Sequence, residues 1–434
     1  MNLRNIFKSK FILFGLMTEF FYLLFYFIEP LKKTYGDYGF VLTNSFLFLL
    51  VIVILLSILF LYIYSKKYVV DDNNSLKIIF FFTIIFNLTL LFVWPIAALD
   101  IFAYINQSRV FSIYGFNPYL VSFDKFPYDS FYFITKQVWW NSVPTPYGPL
   151  FILLGSLITK LGSESLALSL FLFKLVFVSV NIACAFLIHK IFKNNLTTFF
   201  YAWNPLILFE FGANGHNDVL VIFLLLLSAL FFLKKRIYLS WFFLIASVLI
   251  KMYVIILLPI FYFFILAQSK GINDKIKKSL FIVAIFITTT VLSYVIFWDG
   301  VKIFSSLMLQ SEIIWVIPSI FIIISGALLS LARVDFPILT SKIIGQYLFI
   351  FSYFWMFYYA IKNKIFLFEK NIFKLYFLSF LLLLLLAIGW LMPWYFTLLI
   401  ALAVTYHNYA NNKIVENIIY GTTLYGILYY LVLR

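Results

Sequence analysis

Charged side chains are scarce in this chain of 434 residues: Asp, Glu, Lys and Arg together make up only 11% of the sequence. Soluble proteins carry about a quarter charged residues and at most about half apolar ones. Here 64% of the residues are hydrophobic. No globular core buries such a share of apolar side chains, since much of any globular surface faces water. The composition excludes a soluble enzyme, a disordered protein and a secreted disulfide scaffold, and it leaves an integral membrane protein.

Residues that build disulfides and metal sites are also scarce. The single cysteine, Cys184, excludes an intrachain disulfide. The three histidines lie too far apart in the sequence for the ligand spacing of a zinc site. No glycine-rich phosphate loop and no GxSxG nucleophile motif occurs. Acidic residues inside the apolar runs are few, chiefly Glu19 and Glu210, which argues against the relay of acids that proton-coupled transporters use.

Long apolar runs fill most of the sequence. A membrane-spanning helix needs about 20 apolar residues, so the length allows on the order of 12 to 14 spans. We therefore predict an all-α, polytopic transmembrane helical bundle. Neither an internal repeat nor a Pro/Gly-rich linker divides the sequence, and we expect one membrane domain over residues 1–434. The net charge of +15 indicates loop lysines that orient the bundle and meet anionic headgroups, so the expected partner is the lipid bilayer and not nucleic acid.

The basic residues also predict the orientation. They precede the first apolar run, 11–29, which favours a cytoplasmic N-terminus and an outer loop over about 99–163. The later basic clusters lie inside only if the short apolar run 148–161 does not cross the bilayer. The run 313–331 poses the same problem. We predict that both runs form helices in the outer interface or re-enter the bilayer.

Polar residues collect in three patches that this topology places on the outer face. The patches are Asp100 to Tyr104 with Gly115-Phe116-Asn117-Pro118-Tyr119, then Tyr147-Gly148-Pro149-Leu150, and then Gly215-His216-Asn217-Asp218. Lys251 and the turn Pro393-Trp394-Tyr395 lie at a comparable depth. Polar groups near a bilayer are costly, so their concentration at one face marks a candidate functional site.

Asp100 has two interpretations. It ends an apolar span, where it caps a helix N-terminus or serves as a general base at the mouth of a membrane cavity. One residue can have both roles. If residues 100–112 are helical, Tyr104 and Gln107 share the face of Asp100, while Arg109 lies on the opposite face.

The other polar elements also have a structural alternative. Asn117 and Tyr119 lie in a sequence typical of a turn, and Tyr147 precedes a helix start with proline in its first turn. The group from His216 to Asp218 is typical either of a capped helix or of a pocket wall that binds sugar hydroxyls or a phosphate. Lys251, within apolar sequence, either extends to the interface or faces a ligand anion.

The order of these motifs resembles that of the integral-membrane glycosyltransferases of the GT-C type, and most closely the polyprenol-phosphate-mannose-dependent mannosyltransferases. That family has an Asp after an early span, then G-x-NPY, YGPL and GHND elements, a lone Lys between two short helices, and a late PWY. The corresponding elements here begin with Asp100 and end with Tyr395. The resemblance implies a GT-C-like bundle whose catalytic loop is the outer segment 99–163.

The resemblance implies transfer of a sugar from a polyprenyl-phosphate donor to a hydroxyl on a glycan, lipid or protein, at the outer face of the plasma membrane. Asp100 matches the catalytic base of an inverting reaction. Lys251 is the first candidate for stabilising the leaving phosphate, and Arg109 is the second. The expected substrate-binding residues are Tyr104, Arg109, Asn117, Tyr119, Tyr147, His216, Asn217, Asp218, Lys251, Trp394 and Tyr395.

The sequence departs from some GT-C enzymes in one respect. Ile101 and Phe102 follow Asp100, so the D-x-D pair that binds a divalent metal in those enzymes is missing. We expect no metal and no other cofactor. The alternative function is a transporter or flippase of lipid-linked sugars, which moves its substrate without forming a glycosidic bond. The sugar itself, mannose or another hexose or pentose, is not determined by these motifs.

Overall fold

The structure is a computed structural model, and it describes residues 3–28, 45–135, 138–306, 318–410 and 412–432. Those residues form helices joined by short loops, and no β-strand occurs among them. The first half contains α1 (Leu3–Ile28), α2 (Ser45–Ser65), α3 (Asn73–Leu91), α4 (Asp100–Ser112), α5 (Tyr132–Thr135), α6 (Pro149–Gly162), α7 (Leu166–Phe192), α8 (Asn195–Ala202) and α9 (Pro205–Leu208). The second half contains α10 (Asp218–Leu233), α11 (Ile237–Val248), α12 (Leu257–Ala267), α13 (Gly271–Tyr294), α14 (Ile320–Leu331), α15 (Pro337–Lys362), α16 (Asn371–Leu382), α17 (Tyr395–Ala410) and α18 (Lys413–Val432).

The all-α membrane fold is confirmed. Five segments of the described chain are long and apolar enough to cross a bilayer, and they are Lys8–Ile28, Ser45–Tyr68, Asn73–Leu91, Leu166–Phe192 and Gly271–Phe297. In α13 only Ile282, Ser293 and Tyr294 are buried. Most of its other apolar side chains face outward, as expected of a helix whose solvent is lipid.

Charged residues join the loops at one end of the bundle. Lys66 after α2 pairs with Glu416 in α18. Lys235, between α10 and α11, pairs with Glu369, between α15 and α16. The first residues of α4, α10 and α17 and the turn after α11 meet at the other end, around a cavity. The bundle therefore has a strongly basic end and a cavity end.

The short helix α6 lies beside the first part of α7 at the cavity end. Its Gly155 packs against Ser108 of α4 and Phe173 of α7, and its Gly162 packs against Ser169. The second half of α7 packs instead on α3, where the side chains of Asn181 and Asn87 are hydrogen-bonded. Helix α6, of 14 residues, therefore pairs with only the first part of α7. That the run 148–161 does not cross the bilayer stays a prediction.

Helix α14 behaves in the same way. Ser319 at its start donates a backbone hydrogen bond to Ile388, near the cavity. Gly326 then packs against Ser341 and Ile338 in the first turns of α15. Helix α14, of 12 residues, therefore pairs with the first turns of α15. That the run 313–331 does not cross the bilayer stays a prediction. Residues 313–317 of that run lie outside the described part of the chain.

Candidate active site

A cavity of about 380 Å³ opens at the end of the bundle where the polar motifs meet. One wall comes from the first 253 residues and includes Asp100, Trp140, Tyr147, Lys251 and Tyr253. The rest of the lining comes from the last third of the chain and includes Lys342, Gln346, Trp390, Trp394 and Tyr395. The cavity therefore combines ionisable groups with a lining of aromatic rings, a combination suited to a sugar that carries an anionic group.

Asp100 is the first residue of α4. The N-cap position belongs to Leu99, which makes no side-chain capping bond, so Asp100 is not the N-cap residue of α4. Only 8% of Asp100 is exposed, and that surface faces the cavity. Burial raises the pKa of the Asp100 carboxyl to about 6, an effect that Lys251 opposes and Asp218 reinforces. A carboxylate with a pKa close to neutral is suited to general base catalysis.

Two buried side chains hold the connection that leads from α3 to Asp100. Lys174 of α7 donates to the carbonyl of Leu90 at 2.9 Å and to that of Val93. Leu90 lies in the last turn of α3 and Val93 follows the helix, so Lys174 satisfies carbonyl groups at the end where helical hydrogen bonds run out. Asn214 accepts a hydrogen bond from the backbone N–H of Ala97 at 3.1 Å. The loop before Asp100 is thus tied to two other elements.

Lys251 and Asp218 form a buried ion pair in the cavity wall. Lys251 Nζ lies 2.7 Å from Asp218 Oδ2, and the Tyr253 hydroxyl donates to Asp218 Oδ1 at 2.7 Å. Both carboxylate oxygens of Asp218 are therefore occupied. The rings of Tyr147 and Tyr395 flank the ammonium, with centroids at 5.8 and 6.0 Å. Asp218 consequently orients Lys251, while Asp100 keeps a carboxylate that faces the cavity.

Tyr104 connects the first and third sequence patches. Its hydroxyl donates to Asn217 Oδ1 at 3.2 Å, which joins α4 to the start of α10. Its ring meets the ring of Tyr147 edge-on, with the centroids 5.0 Å apart. Tyr104 and Asn217 are both fully buried, so they support the wall formed by Tyr147 and Asp100.

His216 lies behind the cavity wall. Its ring stacks on that of Trp394, with the centroids 4.1 Å apart, and its Nε2 lies 3.3 Å from Glu210 Oε2. Glu210 in turn accepts hydrogen bonds from Asn214, at 3.1 Å, and from the hydroxyl of Tyr430. Since the ring of Trp394 lines the cavity, His216 acts on the site by positioning that ring.

Gly148 brings α6 against the end of α11. Its N–H donates to the carbonyl of Ile250 at 3.0 Å, and an added Cβ would lie 2.0 Å from the carbonyl oxygen of Leu249. Only glycine permits this approach, which places Tyr147 beside Lys251. Tyr119 also helps to position Tyr147, since its hydroxyl donates to the carbonyl of Tyr147 at 2.8 Å.

The sequence matches the family described as alpha-(1->6)-mannopyranosyltransferase, N-terminal domain, over residues 29–267. This match covers more than half of the chain. The chain belongs to this mannosyltransferase family. It is therefore a membrane glycosyltransferase of the GT-C type, as its motifs predict. No curated protein and no solved structure matches the chain significantly.

The matched region of the mannosyltransferase contains one wall of the cavity. Asp100, Tyr147 and Lys251 lie within residues 29–267, whereas Trp394 and Tyr395 lie beyond them. The structure brings these five predicted residues to one cavity. Asn117, by contrast, is not part of the lining; its side chain donates to the carbonyl of Phe297 at 2.6 Å and ties the loop after α4 to the turn after α13.

The structure does not bring Arg109 to the cavity. Its guanidinium is buried, donates to Asp129 at 2.7 Å and to the carbonyl of Ser163 at 2.8 Å, and stacks over the ring of Phe131 at 3.9 Å. These contacts tie α4 to the loop that follows it and to the turn before α7. Arg109 therefore has a structural environment, and Lys251 is the predicted cation that lines the site.

The motifs did not single out several residues of the mannosyltransferase cavity. These are Trp140, Tyr253, Lys342, Gln346 and Trp390. Lys342 stands at the start of an apolar run, directly after Thr340 and Ser341, so its signal in the sequence is weaker than that of Lys251, which has apolar residues on both sides. The aromatic residues of the cavity could not be recognised in the sequence, because they are among 30 tyrosines and 10 tryptophans.

A metal site formed by three or more His, Cys, Asp or Glu side chains does not occur among the residues that the structure describes. The metal-independent reaction expected from the missing D-x-D pair remains a prediction.

Proposed function

We propose that this chain transfers mannose from a polyprenyl-phosphate donor to a hydroxyl group of a glycan, lipid or protein acceptor. The observation that carries the proposal is the Asp100 carboxylate, which lines the same cavity as the Lys251 ammonium. The family supports mannose as the sugar and an alpha-(1->6) linkage as the product. The aromatic lining supports a sugar ligand, because rings pack on the apolar faces of sugars.

The proposed reaction is a direct displacement at the anomeric carbon. The Asp100 carboxylate accepts the proton of the acceptor hydroxyl, and the acceptor oxygen forms a bond to the anomeric carbon. The bond from that carbon to the phosphate oxygen breaks, and its electron pair leaves with the polyprenyl phosphate. Displacement inverts the anomeric configuration, so an alpha product requires a beta-linked donor.

Lys251 faces the negative charge that develops on the leaving phosphate. Its ammonium has three N–H donors, and Asp218 accepts from one of them at 2.7 Å. The remaining donors lie between the rings of Tyr147 and Tyr395. Preorganised donors aimed at developing charge are an effective source of catalysis in a site shielded from water. The donor carries a single phosphate, and we propose that no divalent metal is required.

The proposed location is the plasma membrane, with the cavity on its outer face. The basic end of the bundle, which includes the Lys66 and Lys235 loops, supports this orientation by the positive-inside rule. The lipid donor then enters from the surrounding bilayer. We propose that residues 1–434 act as one unit, because residues from both parts of the chain wall the cavity.

The test uses the purified full chain in liposomes with polyprenyl-phosphate mannose and a soluble mannoside acceptor. The expected product is heavier by one hexose and carries an alpha-(1->6) linkage. GDP-mannose serves as the control donor and is expected to give no product. Transfer from GDP-mannose, or movement of the lipid-linked sugar across sealed vesicles without a new glycosidic bond, would contradict the proposal.

A further inference from the structure

A buried acid behind the cavity is connected both to the loop before Asp100 and to the ring of Trp394. This acid, Glu210, lies in the π-helical turn Phe209–Asn214 and is fully buried. It is one of the few acidic residues within the apolar runs of the sequence, and the proposed reaction does not use it. An ionisable group in apolar surroundings is costly, so its contacts indicate what it contributes.

Glu210, Asn214 and Tyr430 form a closed set of hydrogen bonds. Tyr430, in the last turn of α18, donates its hydroxyl proton to Glu210 Oε1. Asn214 donates to Glu210 Oε2 at 3.1 Å and to the hydroxyl oxygen of Tyr430 at 3.0 Å. All three residues are buried, with at most 1% of their surface exposed. Because both amide hydrogens of Asn214 are used, the orientation of its amide group is fixed.

The fixed amide of Asn214 holds the loop that leads to the base. Its Oδ1 accepts a hydrogen bond from the backbone N–H of Ala97 at 3.1 Å, three residues before Asp100. Residues 94–99 are irregular, so this backbone N–H has no helical partner and takes one from another element. The path of the loop into α4 therefore depends on the orientation of one buried amide group.

The same carboxylate is connected to the cavity lining by a second route. Glu210 Oε2 lies 3.3 Å from His216 Nε2, and the backbone N–H of His216 donates to the carbonyl of Glu210 at 2.9 Å. The ring of His216 stacks on the ring of Trp394, which lines the cavity. One carboxylate thus acts on the loop of the base and on a ring of the cavity, each through one intervening side chain.

We propose that Glu210 and Tyr430 are positioning residues for the transfer reaction, because they hold the Asp100 loop and the Trp394 ring in one fixed arrangement. This inference rests on the proposed function, in which Asp100 is the base. It gives α18, which lies beyond the family-matched residues 29–267, a part in the reaction. A displacement of reacting groups by about 1 Å can lower a rate by about 100-fold, so a buried contact behind the site can control the rate.

The first test measures donor binding and single-turnover mannose transfer by the full-length Tyr430→Phe protein, with polyprenyl-phosphate mannose as the donor. Phenylalanine keeps the ring and removes the hydroxyl, so Glu210 loses a donor and Asn214 loses an acceptor. The expected rate per molecule of bound donor is about 10- to 100-fold lower, with donor affinity changed by less than about threefold. Tyr425→Phe, at an exposed position of α18, is the control and is expected to transfer at the normal rate.

Glu210→Gln is the second variant. It keeps the size of the side chain but replaces one acceptor oxygen by an N–H donor, and the neighbouring Tyr430 and Asn214 are themselves donors to that carboxylate. The rate per bound donor is expected to fall about tenfold or more, again with little change in donor affinity.

Hydrogen–deuterium exchange measures the hold on the loop without reference to activity. Tyr430→Phe is expected to speed exchange in the peptide that contains Ala97 by about tenfold, because the amide group of Asn214 is no longer held in one orientation. A peptide at the basic end that contains Lys235 is expected to exchange as in the wild type, and Tyr425→Phe is expected to change neither peptide.

A normal rate per bound donor in Tyr430→Phe would overturn the inference. A fall in transfer that only matches a loss of donor binding or of folded protein would also overturn it, since it indicates a structural role, and so would unchanged exchange at Ala97. If the wild-type protein transfers no mannose while exchange at Ala97 still responds to Tyr430→Phe, the proposed function fails and the hold of α18 on the loop stands.

Discussion

The Asp100 carboxylate combines burial with access to the cavity, and this combination sets the expected pH dependence. Burial raises the pKa of Asp100 to about 6. A general base acts only when deprotonated, so a raised pKa moves the loss of activity to a higher pH. Transfer is expected to be constant above about pH 7 and to fall about tenfold per unit well below pH 6. The measurement is kcat/KM across this range, with unfolding followed in parallel. A profile that stays flat down to about pH 4 would exclude Asp100 as the base.

A double-mutant cycle on Lys251 and Asp218 separates the effect of this ion pair on stability from its effect on transfer. Lys251→Met leaves the fully buried Asp218 with Tyr253 as its remaining partner, and breaking such a pair costs about 3–5 kcal/mol. Lys251→Met combined with Asp218→Asn removes both charges and is expected to recover most of that stability. Transfer is expected to stay low in the double variant, because the cation is still missing. Thermal unfolding in detergent and initial transfer rates measure the two effects. Recovered transfer would show that Lys251 has only a structural role.

Individual residues were predictable from the sequence where an ionisable group interrupts an apolar run. Asp100 and Lys251 stood out for this reason, and both line the cavity. Arg109 carried a comparable signal but lies elsewhere, because its partner Asp129 follows it by 20 residues in an irregular loop. The sequence predicts on which face of α4 Arg109 lies. It does not predict how the loop that contains Asp129 folds back onto that face.

The contact between α6 and the end of α11 positions Tyr147 and Lys251 together, and it depends on Gly148. An added methyl group would lie 2.0 Å from the carbonyl oxygen of Leu249, so Gly148→Ala requires the two elements to separate. We expect Gly148→Ala to lower the free energy of unfolding by about 1–3 kcal/mol. The transfer rate is expected to fall by a larger factor than the fraction of folded protein.

Gly421→Ala is the matched control, because an added Cβ in that part of α18 has no neighbour within 4 Å. It is expected to be neutral or to stabilise the helix by up to about 1 kcal/mol. Thermal unfolding and transfer rates of the two alanine variants give the comparison. Equal behaviour of the two would show that the α6–α11 contact is not close enough to constrain the site.

Most elements could be predicted from the lengths of apolar runs and the placement of lysines. The run 237–267 is too long for one span and is interrupted by Lys251, which predicts two short helices; it forms α11 and α12 with a 3-10 turn between them. The π-helical turns Phe209–Asn214 and Leu383–Ala387 were not predicted. A uniformly apolar sequence does not show where the hydrogen bonds of an α-helix change to the wider pattern of a π-helix. π-Helical turns are nevertheless frequent at functional sites.

The two ends of the molecule differ in charge, and the proposed orientation places them on opposite sides of the membrane. Tyr128 in the outer loop is 100% exposed, and Lys234 is exposed at the basic end. In a Cys184→Ser background, Tyr128→Cys is expected to react with a membrane-impermeant maleimide in intact cells. Lys234→Cys is expected to react only after permeabilisation. The reverse pattern would place the cavity on the cytoplasmic face.

The proposed mechanism uses Asp100 to deprotonate the acceptor and Lys251 to stabilise the leaving lipid-linked phosphate. Its most direct test is single-turnover mannose transfer by Asp100→Asn, compared with wild type and with Asp299→Asn. Asp299 is an exposed carboxylate in the loop after α13 and serves as the control. The account predicts a fall of at least about 100-fold for Asp100→Asn with donor binding retained, and a normal rate for Asp299→Asn. A near-normal rate in the folded Asp100→Asn protein would contradict it.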